Sequence, residues 1–189
     1  LHLLLATALL FLFAYQIASA STVVRSGEAI SISEDQSVEG DLYAAGGTVN
    51  ISGTIDEDAS VLGGKVVING KIAKDALLVG GSVDVHGSVG DDLRIISGEV
   101  IVAEKIEGDL FIAGGTVVVL SSASVTGDIL IYAGDAVIEG FVGGDIIGAV
   151  GNLRIDADVA GDVDISVNKL VLGDKANIQG SVSYVSSQV

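Results

Sequence analysis

The chain contains no cysteine, proline, methionine or tryptophan. Without cysteine there is no disulfide framework, no thiolate nucleophile and no zinc-ribbon site. Aromatic residues make up only 4 % of the 189 residues while apolar residues reach 49 %, so the core must be built from Val, Ile, Leu and Ala. Cations are scarce too: Lys and Arg total 9 against 25 Asp and Glu, a formal charge of −16. Nucleic-acid binders bring cations to neutralise phosphates, so this balance argues against DNA or RNA as a partner. It argues equally against a basic patch on an anionic membrane. What remains is a soluble, self-repelling surface on a chain long enough for one ordinary domain.

The first twenty residues differ from the rest. "LHLLLATALLFLFA" is an apolar run, and Ala18-Ser19-Ala20 places small residues where a signal peptidase would want them. No Lys or Arg precedes Arg25, and the run is short for a spanning helix, which needs about 20 apolar residues. Residues 1–20 therefore read as a signal peptide or an N-terminal anchor, and export to the periplasm, cell surface or membrane is expected.

Beyond this leader the chain repeats itself. Asp41, Asp58, Asp75, Asp92 and Asp109 are spaced by seventeen residues; Asp128 follows after nineteen, Asp145 and Asp162 after seventeen each, and Ser181 after nineteen more. A glycine pair keeps step at Gly46-Gly47, Gly63-Gly64, Gly80-Gly81 and Gly114-Gly115, and is half kept at Ser97-Gly98, Ala133-Gly134 and Val150-Gly151. Such a short fixed period means a solenoid. Within each unit the apolar residues alternate, as in Leu110 and Ile112, then Val117 and Val119, with a fifth at positions such as Val125. Period-two runs of β-branched residues punctuated by Gly and Asp are strands. The expected fold is all-β: a single-stranded, parallel, right-handed β-helix of about seventeen residues and three short strands per coil, over residues 38–189. Residues 21–37 read as a partial N-terminal coil.

One coil cannot stand alone. Its five inward side chains supply ~1.5–3 kcal/mol each, against ~1–2 kcal/mol per residue of backbone entropy. Stacked neighbours pair every strand edge and close the core, so stability grows with repeat number.

The candidate sites are columns. The eight aspartates Asp41, Asp58, Asp75, Asp92, Asp109, Asp128, Asp145 and Asp162 form a corner ladder, and like residues in adjacent coils stand ~4.8 Å apart. Carboxylates so stacked could bind Ca²⁺, a hard cation that takes oxygen ligands. The preferred reading is structural: each Asp bonds backbone N–H groups at its own corner, as in an Asx-turn, with no metal or cofactor. Gly53, Gly70, Gly87 and Gly140 recur at another corner, where φ > 0 is expected. A second column, two residues after the Asp, holds Tyr43, Leu77, Phe111, Leu130 and Ile147, interrupted by Ser60, Arg94 and Asp164. Facing outward, it is a candidate for lateral contact; cover by a longer corner or the chain's own tail is the alternative. Catalytic groups are thin. His86 is the one histidine after the leader, beside Asp84, and Arg94, Lys105 and Arg154 lie on separate coils. No enzyme is expected.

The units "GDLYAAGGTVNISGTI", "GDLFIAGGTVVV" and "GDILIYAGDAVIEGFVGGD" resemble the bactofilin family, the polymer-forming cytoskeletal proteins, over about residues 38–182. The resemblance implies a right-handed β-helix and non-enzymatic, nucleotide-independent assembly of protomers end to end. Well-studied bactofilins are cytoplasmic and membrane-associated, so the leader makes this an exported variant. Some exported relatives continue into membrane-spanning segments, and since "SVSYVSSQV" stops in mid-pattern a longer chain is expected. The expected role is structural, in the cell envelope. The partners are further copies of the chain, joined at coil ends, and the membrane through the leader or a missing C-terminal region. A surface binding module or adhesin, for example for glycan, is the alternative, and a polysaccharide-acting enzyme a weaker one.

Overall fold

The computed structural model describes residues 21–186; the expected leader, residues 1–20, lies outside them. Among the described residues the fold is all-β, without helix, and its strands stack in parallel. Ten strands, from Val23–Ile32 through Leu42–Ile51 and Ala59–Ile68 to Val182–Val185, form one sheet whose order follows the sequence. Each pairs with the strand one repeat away, as in Ala59↔Ala76 and Leu93↔Leu110, seventeen residues apart. Two-residue strands such as Thr54–Ile55 and Ser124–Val125 stack in their own column and close each coil. This is the β-solenoid that the seventeen-residue period predicts.

The coil is divided differently from the expectation of three short strands. Most of it is a single ten-residue strand, bent in the middle, followed by one two-residue strand. In Leu42–Ile51 the buried residues are Leu42, Ala44, Val49 and Ile51, so the alternation slips by one between the third and eighth positions. The slip lies at the glycine pair. Backbone pairing runs on through the bend, with Gly46↔Gly63 followed by Thr48↔Lys65, and only Gly47 falls outside the register. A change of face without loss of the ladder lets one strand cover two sides of the core.

The pair's two glycines have different jobs. A Cβ on Gly64, Gly81, Gly98 or Gly115 would lie 2.8–2.9 Å from the carbonyl oxygen of the corresponding glycine one coil below. That is closer than a methyl carbon can approach backbone, and this second position stays Gly until Asn168. The first position is roomier around Gly80 and Gly114, with neighbours at 3.0 Å or more, and tight only at Gly46, where a Cβ would lie 2.7 Å from the Gly27 carbonyl oxygen. Ser97, Ala133, Val150 and Val167 occupy it in other coils. Ser97 is buried there, its hydroxyl donating to the Glu99 carbonyl at 2.8 Å.

Positive φ does not explain the Gly53 column. Among the described residues the glycine with φ in the left-handed half is Gly148, at 144°, in a different place. At Gly70 and Gly87 the constraint is again close approach, since a Cβ would strike the carbonyl oxygens of Gly53 and Gly70. Gly148 itself sits in an inward column between Ile131 and Ile165. The coil that loses an inward side chain there gains buried Val150 at its corner.

The N-terminal coil is fuller than a partial one. Val23–Ile32 pairs with Leu42–Ile51 from end to end, and Ser37–Val38 pairs with Thr54–Ile55. Its offset to the next coil is nineteen residues, as it is for Leu110↔Ile129 and Val163↔Val182. In all three cases the extra residues close a turn. The N–H groups of Gln36, Ala123 and Ala176 donate to the carbonyls of Ser33, Leu120 and Gly173 at 2.9, 2.9 and 3.1 Å. The inward columns pass such coils undisturbed: Leu110 with Ile112 and Ile129 with Ile131 are all fully buried.

The two glycine slots should respond differently to the same methyl group. Gly81→Ala is expected to cost about 1–3 kcal/mol, because the Gly64 carbonyl beneath it must shift, and Gly80→Ala less than half as much. Urea denaturation followed by circular dichroism compares them, and equal losses would contradict this account of the bend.

Candidate functional site

The aspartates stand in single file and are bonded to one another's coils. Each Oδ1 accepts the backbone N–H of the next Asp along the solenoid, not an N–H of its own corner. Asp41 Oδ1 accepts from Asp58 at 3.4 Å, Asp58 from Asp75 at 3.1 Å and Asp75 from Asp92 at 3.0 Å. Asp92 and Asp109 accept from Asp109 and Asp128, each at 2.9 Å, then Asp128 from Asp145 at 2.8 Å and Asp145 from Asp162 at 2.7 Å. Asp162 ends the ladder on the N–H of Ser181 at 2.6 Å. The Asx-turn expectation is thus corrected: the bond is between coils, and it tethers them.

This arrangement explains the Gly-Asp dipeptide. A Cβ on Gly108, Gly127, Gly144, Gly161 or Gly180 would collide with the Oδ1 of the aspartate in the coil below. Where glycine precedes the donor, the bonds measure 2.6–2.9 Å. Where Glu57, Lys74 or Asp91 precedes it, they lengthen to 3.0–3.4 Å. A side chain at that position holds the coils slightly apart at the ladder.

Against Ca²⁺, the ladder spends one oxygen per carboxylate on backbone. Asp75, Asp91 and Asp92 are the described residues whose carboxylate oxygens gather within 4.8 Å of one another. Arg94 already serves two of them, at 2.7 Å to Asp92 and 3.4 Å to Asp75. The other cations singled out in the sequence are likewise tied to neighbouring acids, Lys105 to Glu107 at 2.8 Å and Arg154 to Asp156 at 3.1 Å. Asp84 faces Lys65 at 4.0 Å, while His86 is exposed just past the strand end. These groups do not converge.

The structure adds tethers that the repeat did not reveal, and one repeats the ladder's own chemistry. Asp156, at a different corner, accepts the N–H of Lys175 at 2.8 Å. That bond, followed by Arg154, holds its carboxyl below the usual range. The available signal was Gly173, seventeen residues on, where a Cβ would meet Asp156 Oδ1.

The outward column beside the ladder is on the surface, as its position implied. Tyr43, Leu77, Leu130 and Ile147 are exposed and Phe111 is half-buried, its ring 6.4 Å from that of Tyr132. Among the described residues neither a corner nor a tail covers it. Sequence reasoning missed a parallel outward column two residues further on, containing Ala45, Leu62, Val79, Ile96, Ala113, Tyr132 and Ala149. Leu62, Ile96 and Tyr132 are 56 %, 49 % and 49 % exposed. The alternation that places Tyr43 outward places Ala45 outward too, and the glycine pair follows directly after it. Together the columns make an apolar face bordered on one edge by the carboxylate ladder. An open groove of about 490 Å³ runs along that border, between Phe111, Leu130 and Ile147 and the side chains of Arg94, Asp109 and Asp128.

No family model, curated protein or solved structure matches this chain.

Two measurements test the tethers. Asp109→Ala leaves the Asp128 N–H unpaired and is expected to cost about 1–2 kcal/mol. Gly127→Ala alone should be worse, but partly relieved when Asp109→Ala removes the oxygen it strikes, a coupling of roughly 0.5 kcal/mol or more. Strict additivity in that double-mutant cycle would contradict the packing of Gly-Asp on the ladder. For Asp156 the folded pKa is depressed, so its contribution is complete above the unfolded value and is lost as pH falls through the folded one. The melting temperature of Asp156→Asn should therefore lie below that of the native chain at pH 6 and converge with it in acid. A gap that persists under acid would show that the charge is not what matters.

Proposed function

We propose that this protein is a non-enzymatic structural element of the cell envelope that assembles by joining solenoid ends, as the likeness to bactofilins implies. One observation supports this most. Every coil joins the next through the same parallel ladders and the same inward apolar columns, as Ile129 stacks on Leu110 and Ile146 on Ile129. Any coil therefore presents the surface that a further coil accepts, and parallel strand edges beside an apolar core are templates for another chain. A second copy supplies such a coil.

The second reading, a binding module, draws on the apolar face with its Tyr43, Phe111 and Tyr132. Catalysis on polysaccharide has the least support, because His86 and the cations singled out in the sequence lie apart. Export, and membrane attachment through the leader or a C-terminal region, remain part of the proposal. No helix among the described residues is long and apolar enough to cross a membrane.

Negative-stain microscopy of the purified chain tests the proposal. Filaments or end-joined rods are expected, and Val182→Lys with Tyr184→Lys should shorten or abolish them while leaving the coils folded. Single particles at high concentration, unaltered by those substitutions, would rule out assembly through the ends.

A further inference from the structure

The border between the ladder and the apolar face is an amphipathic groove with two unlike walls. Phe111, Leu130 and Ile147 make the apolar wall, and Asp92, Asp109 and Asp128 the acidic one. Both ends are polar. Arg94 closes the lower end, held by Asp75 and Asp92 at 3.4 and 2.7 Å. Asp164 stands one coil beyond Ile147.

Within the groove the acids are only half used. Asp109, Asp128 and Asp145 each give Oδ1 to a backbone N–H of the coil above, which leaves Oδ2 over. Among the described residues no cation pairs with any of the three. A chain of net charge −16 has few cations to offer them.

We infer that this groove receives a cationic amphipathic helix of a partner protein, lying along the solenoid. Charge complementarity sets the sign. An apolar stripe beside a row of unpaired carboxylates is matched by an apolar stripe flanked by Lys or Arg. A second copy of the chain does not meet that condition, because its own apolar face is bordered by the same carboxylates. A neutral lipid surface does not meet it either, since it would desolvate the acids without pairing them.

Spacing selects a helix over an extended segment. The coils rise ~4.8 Å apart, and a helix presents its stripe once per turn, every ~5.4 Å. Over the four coils from Arg94 to Ile147 the mismatch grows to only ~2 Å, so the helix stays in step along the groove. An extended strand presents like-facing side chains every ~6.6 Å and falls out of step by the second coil. In the helical pose each turn sets an apolar residue against Phe111, Leu130 or Ile147, and a cation toward Asp109, Asp128 or Asp145. The charges meet at the surface, so the contact is modest in strength and sensitive to salt.

This site is independent of assembly through coil ends, and its test reads binding alone. The probe is a fluorescein-labelled peptide of leucine and lysine, about fourteen residues or four turns long, patterned to place its leucines on one helical face. Anisotropy titration should show saturable binding that weakens about fivefold from roughly 50 to 300 mM salt. Circular dichroism of the bound peptide should show helix. Asp109→Asn with Asp128→Asn removes two charges but keeps a side-chain carbonyl for each tether, and should weaken binding about fivefold. Leu130→Ser should weaken it as well. Glu104→Gln with Glu139→Gln removes the same charge at another corner and should leave affinity within about twofold, because screening confines the effect to nearby groups. Equal losses in the two double variants, or equal binding of a peptide with the same composition in shuffled order, would reduce the effect to net charge and overturn the inference. So would a peptide that binds in extended form. Flotation of the chain with phosphatidylcholine vesicles that is lost in Leu130→Ser would overturn it by assigning the face to lipid, and a dimer of the chain that Leu130→Ser dissociates would give the groove to a second copy.

Discussion

Stacking at one strand spacing governs this molecule: every residue lies directly above and below its own counterpart. A column must therefore be compatible with itself at about 4.8 Å. Aliphatic columns meet the condition easily, and Val83, Val100 and Val117 simply pile up in the core. Columns where one coil's carbonyl presses on the next meet it only as glycine, which is why the second residue of the pair persists while the first drifts. The repeat is thus the consequence of a geometric condition applied coil after coil.

Stacked aspartates would fail that condition if they did nothing for one another. Two carboxylates ~4.8 Å apart repel by about 1 kcal/mol in water, less with salt. A hydrogen bond to a charged group contributes about 1.5–3 kcal/mol. By passing each Oδ1 to the next coil's backbone N–H, the ladder exceeds the repulsion it creates. The N–H so engaged lies at a corner, immediately before the long strand resumes, so the bond pins the start of every coil's first limb to the coil below. Arg94 adds local relief where three acids crowd together.

Much of this was legible from the chain alone, because period and alternation report burial directly. The five inward columns, the nineteen-residue coils and the outward position of Tyr43 and Leu77 follow from counting. What escaped counting was vertical. Whether an Asp bonds its own corner or the coil above depends on the displacement between coils, which no single repeat displays. The role of glycine was misassigned for the same reason. Gly70 looks like a residue chosen for its dihedral freedom until the Gly53 carbonyl beneath it is in view. Asp156 was missed because it occurs once, and a column of one has no periodicity.

The same logic separates what folding demands from what it merely permits. The first outward column after the bend begins at Ala29 and then runs Thr48, Lys65, Ser82, Glu99, Thr116, Asp135, Asn152 and Lys169, polar in each of these eight coils. Outward slots in this solenoid therefore accept water-loving residues without difficulty, and Ser60, Arg94 and Asp164 show that those of the first limb do so as well. Leu62, Ile96, Tyr132 and their neighbours are not needed to bury a core or turn a corner. On a chain this acidic, each exposed aliphatic or aromatic side chain on that limb favours contact with something apolar. The apolar character of the face is a surplus over the requirements of the fold, because the same coils carry polar residues outward wherever nothing apolar is needed.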